Sequence, residues 1–272
     1  MNVTLRVRLP HAGIAVKNAI LREPVPMEKE RLDILVQRQA GVSRSKARGL
    51  IHTGQVYGPD GRKLDKPGMR LDVSTPLEIR DEPRFVSRGG DKLEAAFTAF
   101  AFDVAGRVAI DVGASTGGFT DCLLQHEAAY VYAVDVGYGQ LAWRLRQDPR
   151  VRVMERTNIR NVTPEALPMP PEVFTADCSF ISLRLVLPVL KTLLKRPAEG
   201  VVLVKPQFEA GKALVGKGGV VRDEAVRARV VEEVIEGAEL LGFESLGVAP
   251  SPLKGPKGNQ EFLAHLRLPA VE

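Results

Sequence analysis

Glycines and carboxylates in one short stretch supply the first chemistry of this chain. The segment Asp111-Val112-Gly113-Ala114-Ser115-Thr116-Gly117-Gly118-Phe119 follows an apolar run that reads as a strand and leads into one that reads as a helix. Glycines at the carboxyl end of a first strand let a ligand approach the backbone closely. The spacing is not G-x-G-x-x-G, so a pyrophosphate cradle is not expected. D-x-G-x-x-x-G-G-F suits the tail of a methionine-type ligand. Asp111 would join a polar network around its ammonium group, and Gly113, Gly117 and Gly118 would leave room for its chain. Ser115, Thr116 and Phe119 belong to the same cofactor loop. Asp135 comes 24 residues after Asp111, at the end of the second strand. A carboxylate there can hold both hydroxyls of a ribose. Asn158, past the third strand, is expected to border an adenine. Together these point to S-adenosylmethionine.

The elements that must position these groups alternate strand and helix from residue 87 onward, the sign of an α/β fold with a largely parallel sheet. The expected strands are Val108–Val112, Tyr130–Asp135, Val151–Met154, Val173–Ala176, Val201–Val204, Glu244–Pro250 and Glu261–Leu266. The expected helices include Lys92–Phe100, Gly118–Gln125, Leu185–Leu194 and Asp223–Leu241. The stretch Pro206–Val221 is rich in Gly and Lys, has no clear period, and reads as a functional loop. Residues 28–82 read as a separate α-then-β module. Leu32, Leu35 and Val36 share one helical face, Gly41 stops that helix, and Ser43 caps a second one carrying Ala47, Leu50 and Ile51 inward. Residues 83–87 are a short linker, residues 88–272 the larger domain, and residues 1–27 an extension unlike the rest.

Charge separates the regions further. The chain has 38 Lys and Arg against 33 Asp and Glu, a net +5. Residues 1–27 carry +3, residues 28–86 carry +3, and residues 87–272 carry −1. The basic excess therefore lies in the N-terminal third and points to a partner rather than a fold. Two cysteines and four histidines, without C-x-x-C or H-x-x-x-H spacing, offer neither a disulfide framework nor a metal site. No uncharged apolar run approaches the roughly 18–20 residues of a membrane helix. A soluble, cytoplasmic protein is expected.

Several motifs carry a resemblance to a known family. Arg31-Leu32-Asp33, Ser43-Arg44-Ser45-Lys46-Ala47, Gly54-Gln55-Val56 and Lys66-Pro67-Gly68 resemble RNA-binding modules of the ribosomal-protein-S-four type. Ser87-Arg88-Gly89-Gly90-Asp91-Lys92-Leu93, the glycine segment, Asp177-Cys178-Ser179-Phe180-Ile181-Ser182, Val204-Lys205-Pro206-Gln207-Phe208-Glu209 and Gly258-Asn259-Gln260-Glu261-Phe262 resemble FtsJ-like RNA ribose 2′-O-methyltransferases. From Glu28 to the end the chain is similar to the TlyA family, also called haemolysin A, which joins the two.

The resemblance implies a Rossmann-like class I methyltransferase with a mostly parallel seven-stranded sheet and a small N-terminal α+β RNA-binding domain. It implies ribosomal RNA or ribosomal subunits as partners, with cytidine as target, and no membrane. It places a Lys-Asp-Lys-Glu catalytic set on Lys92, Asp177, Lys205 and Glu261, with Asp177 also beside the cofactor. A ribose 2′-hydroxyl is a weak nucleophile and must lose its proton as it attacks a sulfonium methyl. Lys205 is assigned as base or hydroxyl-orienting residue, and Lys92 as the group that positions the hydroxyl or stabilises the developing oxyanion. Asp177 would orient Lys205, and Glu261 would orient Lys92. Arg31, Arg38, Arg44, Lys46 and Arg48 form the expected phosphate-contacting face. Lys212, Lys217 and Arg222 in the Gly-rich loop are second candidates for substrate contact. Cys178 reads as a packing residue, since no histidine base is paired with it. Two rival readings are a membrane-lytic protein, which would need an exposed apolar or amphipathic span, and an RNA-binding protein without catalysis.

Overall fold

A computed structural model describes residues 28–80, 83–255 and 257–271. The expected extension at 1–27 lies outside the described residues. The chain divides into two units between residues 82 and 83.

In the first unit, β1 (Lys29–Arg31) runs into α1 (Leu32–Ala40), followed by α2 (Arg44–His52), β2 (Val56–Tyr57), β3 (Arg70–Asp72) and β4 (Glu78–Ile79). β1 pairs antiparallel with β3, and β2 with β4. Gly41 ends α1 in the left-handed conformation, at φ 64°, where a side chain is disfavoured. Ser43 Oγ accepts from the Lys46 amide at 3.2 Å and starts α2. Leu32, Leu35 and Val36 from α1 and Ala47 and Ile51 from α2 are fully buried. Val56 and Leu64 complete this small core. The β1–β3 pair is unexpected from sequence, because Lys-Glu-Arg opposite Arg-Leu-Asp has almost no apolar alternation.

The second unit contains α3 (Arg88–Ala99), β5 (Val108–Val112), α4 (Gly118–Gln125), β6 (Tyr130–Val134), α5 (Trp143–Arg146), β7 (Val151–Met154), β8 (Val173–Ala176), α6 (Leu183–Leu193), β9 (Ala198–Val204), α7 (Pro206–Glu209), α8 (Glu224–Leu240), β10 (Glu244–Pro250) and β11 (Phe262–Leu268). Seven strands form one sheet in the order β10-β11-β9-β8-β5-β6-β7. Only β11 runs against the others, antiparallel to both β9 and β10. The expected α/β class and mostly parallel seven-stranded sheet are observed.

Strand side chains alternate between two cores, as a period of two requires. Ala109, Val131, Ala133, Val173, Val201 and Leu203 pack toward α3, α4 and α5. Ile110, Val112, Tyr132, Val134, Phe174, Ala176, Val202 and Val204 pack toward α6 and α8. Phe85 belongs to the first of these cores, and the Val86 amide donates to Asp121 Oδ2 at 2.8 Å. α3 begins earlier than its apolar pattern suggests. Gly89 and Gly90 look like helix breakers, yet a Cβ on Gly90 would lie 2.2 Å from Phe85 Cγ. Gly90 is a glycine because Phe85 packs too close to it for anything larger.

Candidate active site

Topology gathers the candidate residues. After β5 the chain builds β6 and β7 on one side, then crosses to β8 on the other, which makes the carboxyl end of β5 and β8 a switch point where such sheets bind ligands. Gly113 follows β5, Asp177 follows β8, and Lys205 follows β9. Because β11 runs the other way, Glu261 at its entry falls on the same edge. The pairing of Phe262 with Val204 puts Glu261 next to Lys205 in register. Pro206 holds Lys205 in an extended conformation and starts α7. Lys92 comes from the N-terminal half of α3.

The four side chains form a line of alternating charge. Lys205 Nζ lies 2.6 Å from Asp177 Oδ1 as an ion pair, while its hydrogen bonds go to Ser179 Oγ at 3.1 Å and the Asp177 carbonyl at 3.5 Å. Lys92 Nζ lies 3.8 Å from Asp177 Oδ2 and donates to Glu261 Oε2 at 2.6 Å. Gln207 Nε2 donates to the other Glu261 oxygen at 3.2 Å. Lys92, Lys205 and Glu261 are all buried, Glu261 almost completely. Two lysines and two carboxylates balance in charge, which is how four ionised groups share a poorly hydrated site.

A cavity of about 700 Å³ opens over this line. Gly113, Ser115, Thr116, Gly118 and Phe119 line it together with Asp177, Lys92, Lys205 and Glu261. At Gly113, with φ 84°, a Cβ would stand 2.8 Å from the Asp177 carbonyl oxygen, so the backbone is bare there. Gly117, at φ 99°, packs against Leu141 and Leu145 beneath the loop and does not line the cavity.

Asp111 is also absent from the cavity wall. Its position on β5 turns it with Ala109 toward α4, where it is fully buried. Thr120 Oγ1 and Thr175 Oγ1 donate to its two oxygens at 2.7 and 3.0 Å. Burial pushes its carboxyl up to about 6, against the opposing pull of those hydroxyls. Asp111 thus braces β5, α4 and β8 from inside.

Asp135 is half-buried beside the loop. Its Oδ2 accepts from the Ser115 amide at 2.8 Å and its Oδ1 from the Gly137 amide at 2.6 Å. Asn158 Oδ1 accepts from the Arg160 amide at 3.1 Å and caps a short turn. Neither lines the cavity.

Ser87, Arg88, Ser179, Phe180, Gln207, Phe208, Lys254 and Lys257 are not among the residues expected in the site from sequence, yet all line the cavity. Phe180 is 90% exposed and adopts φ 64°, with its ring 5.1 Å from that of Phe208. The only sequence signal for it was its closeness to Asp177. The loop cations Lys212, Lys217 and Arg222 are exposed and do not line the cavity, whereas Val215 and Gly219 do. Asn259 ties this loop down, accepting from the Val221 amide at 2.9 Å and donating to the Gly219 carbonyl at 2.8 Å. Glu209 caps α6 through the Leu183 amide and Ser182 Oγ. Burial pushes the Cys178 thiol up to about 12, which leaves it a packing group. Glu94, Cys122 and His126 bring their donor atoms within 4.8 Å of one another, but Glu94 is already engaged by Arg84 and His126.

In the first unit the basic residues differ among themselves. Arg31 and Arg44 both grip the buried Asp33, with Arg31 Nε and Arg44 Nη2 each at 3.0 Å. The hydrogen bond from Arg31 is the main reason the Asp33 carboxyl sits below its ordinary value. Arg38 donates to the Val73 carbonyl and pairs with Glu30. Lys46 and Arg48 project from α2 with no ion pair among the described residues. Arg48 lines a shallow concavity with Arg44, Ser45, Gly49 and His52.

Known proteins resemble this chain over most of its length. The chain is 52% identical over 245 residues to YqxC of Bacillus subtilis (strain 168), covering 89% of this chain and 87% of that one. It is 52% identical over 235 residues to the 16S/23S rRNA (cytidine-2′-O)-methyltransferase TlyA of Mycobacterium tuberculosis, covering 86% and 87%. A solved structure of a candidate hemolysin from Streptococcus thermophilus superposes with a TM-score of 0.69 at 45% identity, covering 89% and 90%. Among the described residues no helix is long and apolar enough to cross a membrane. Residues 85–268 match the FtsJ-like methyltransferase model, and with the glycine loop and the Lys-Asp-Lys-Glu line on one sheet edge, the chain belongs to the FtsJ-like methyltransferase family.

Proposed function

We propose that this chain transfers a methyl group from S-adenosylmethionine to the ribose 2′-hydroxyl of a cytidine in ribosomal RNA. The observation that carries the reading is the buried line Lys205, Asp177, Lys92, Glu261 beside a bare glycine loop. The residues present fit the cofactor. The Gly113 backbone admits no side chain, the cavity is of small-molecule size, and each Asp135 oxygen keeps a lone pair for a ribose hydroxyl. Gly113, Ser115, Thr116 and Asp135 would hold it, with Asp177 at its reactive end.

When bound, S-adenosylmethionine supplies an electrophilic methyl group. The work of the chain is to orient the attacking oxygen and manage its proton. Lys205 Nζ, after passing a proton to Asp177 within their ion pair, takes the hydroxyl proton, and Asp177 and Ser179 fix where that nitrogen points. Lys92, held by Glu261, stabilises negative charge on the attacking oxygen. The exposed Phe180 ring offers a face on which an unstacked base can rest. The partners are ribosomal RNA or ribosomal subunits, met in the cytoplasm, with Lys46 and Arg48 contributing phosphate contacts.

The test is labelled methyl transfer to free ribosomal RNA, each subunit and whole ribosomes, followed by nucleoside analysis. Label in 2′-O-methylcytidine is expected. No incorporation into any of these substrates overturns the reading.

A further inference from the structure

One polar group in the cavity wall has no part in the chemistry above. Gln207 donates through Nε2 to Glu261 Oε1, while its Oε1 is buried without a hydrogen-bond partner among the described residues. The amide cannot simply turn over. Glu261, paired with Lys92, only accepts hydrogen bonds, so the Gln207 NH₂ must face it and the oxygen must face away. A buried acceptor left without a donor is unfavourable and calls for an explanation.

Position suggests which ligand supplies the missing donor. Asp177 touches the glycine loop at Gly113, and Lys92 bridges Asp177 to Glu261. Gln207 therefore stands at the end of the line away from the glycine loop. Its neighbour Phe208 pairs with the exposed Phe180 at the cavity mouth. This is the side left for the nucleotide.

We propose that Gln207 is a positioning residue for methyl transfer. Its nitrogen keeps Glu261 Oε2 on Lys92, and its oxygen accepts a hydrogen bond from a hydroxyl or amino group of the nucleotide being modified. This rests on the methyl-transfer reading above.

The test compares full-length Gln207→Met and Gln207→Glu with wild type on ribosomal RNA or subunits. Gln207→Met keeps the length and removes both polar atoms. Its kcat should fall ~10–100-fold, the loss expected when a reacting group is slightly misplaced. Its affinity for S-adenosylmethionine should stay within about twofold, since Gln207 lies outside the cofactor loop. Gln207→Glu sets a carboxyl against Glu261, and like charges that close favour a shared proton. The protonated acid then restores a donor to Glu261. The ratio of its kcat to that of wild type should rise severalfold between about pH 8 and about pH 6, whereas the Gln207→Met ratio stays flat. A merely structural role would not move that ratio. Wild-type kcat in Gln207→Met, or a flat ratio in Gln207→Glu, overturns the proposal. If Gln207→Met does not fold, the Gln207→Glu ratio decides alone. A wild-type chain that methylates no substrate overturns the functional reading itself, whereas an active wild type with these negative results overturns only the role of Gln207.

Discussion

The two units use the same ion-pair chemistry in opposite ways. In the first, one buried carboxylate, Asp33, gathers two exposed arginines, whose side chains are 44% and 54% accessible. In the second, two lysines at 11% and 8% are drawn inside by Asp177 and Glu261. Exposed charge acts at a distance and is screened by salt, whereas buried charge acts by contact and is hardly screened. Net charge therefore reports on the first unit and is nearly silent about the second, where the chemistry is placed. The difference also separates basic residues that look alike in sequence. Arg31 and Arg44 fasten Asp33, while Lys46 and Arg48 have no ion-pair partner among the described residues.

The largest effect that tests this contrast is on catalysis. Lys205→Ala should lower kcat for RNA methylation ~10³-fold, within the range for a lost acid–base group, with S-adenosylmethionine affinity nearly unchanged by calorimetry. An active Lys205→Ala would break the assignment of chemistry to the buried line.

Stability comes next. Lys92→Ala leaves Glu261 buried without its cation and should cost about 3–5 kcal/mol in denaturant unfolding. The double variant Lys92→Met, Glu261→Gln should recover most of that while remaining inactive. Arg44→Ala should cost only about 1 kcal/mol, because Asp33 keeps Arg31. Equal costs in the two units would erase the distinction.

Asp111 sharpens the same point through pH. Its carboxyl titrates at about 6 in the folded chain against an ordinary 3.8, so the folded state binds that proton more tightly. Its penalty is full above about pH 6 and fades as pH falls toward 4. The difference corresponds to about 3 kcal/mol. Asp111→Asn should remove this contribution, which unfolding curves across that range would show as a changed slope. An unchanged slope would place the titration elsewhere.

The smallest effect belongs to the exposed charges. Lys46→Glu with Arg48→Glu should weaken RNA binding ~10-fold and reduce the salt slope of log affinity by about 1–2, one phosphate contact for each residue lost. An unchanged slope would remove α2 from the RNA face.

Legibility in the sequence follows the same physics. β5, β7, β8, β10 and α4 fall where the apolar pattern put them, because alternation and length are both clear in those runs. The one-turn helices α5 and α7 escaped notice, since four residues cannot display a period. β9 starts at Ala198 rather than Val201. Ala198, Glu199 and Gly200 do not read as a strand, but β11 pairs with them.

In the site, a glycine spacing and a strand-end carboxylate were readable as cofactor chemistry. What they concealed was direction. Asp111 lies two residues before the cavity-lining Gly113, yet within β5 its side chain is held inside by Thr120 and Thr175. Gln207, Phe180, Lys254 and Lys257 lie in stretches with no period, where only the folded chain brings them to the cavity.

The reversed direction of β11 bears on how the protein is made. Synthesis runs from the amino end, so the glycine loop, Asp177 and Lys205 leave the ribosome well before Glu261. Lys92 waits for a partner 169 residues later. Until β11 slides between β9 and β10, the growing chain has a cofactor loop and three of the four members of its charge line, but not Glu261. A nascent chain can thus become competent to hold the methyl donor before it can use it, and the last strand to join the sheet arms the enzyme.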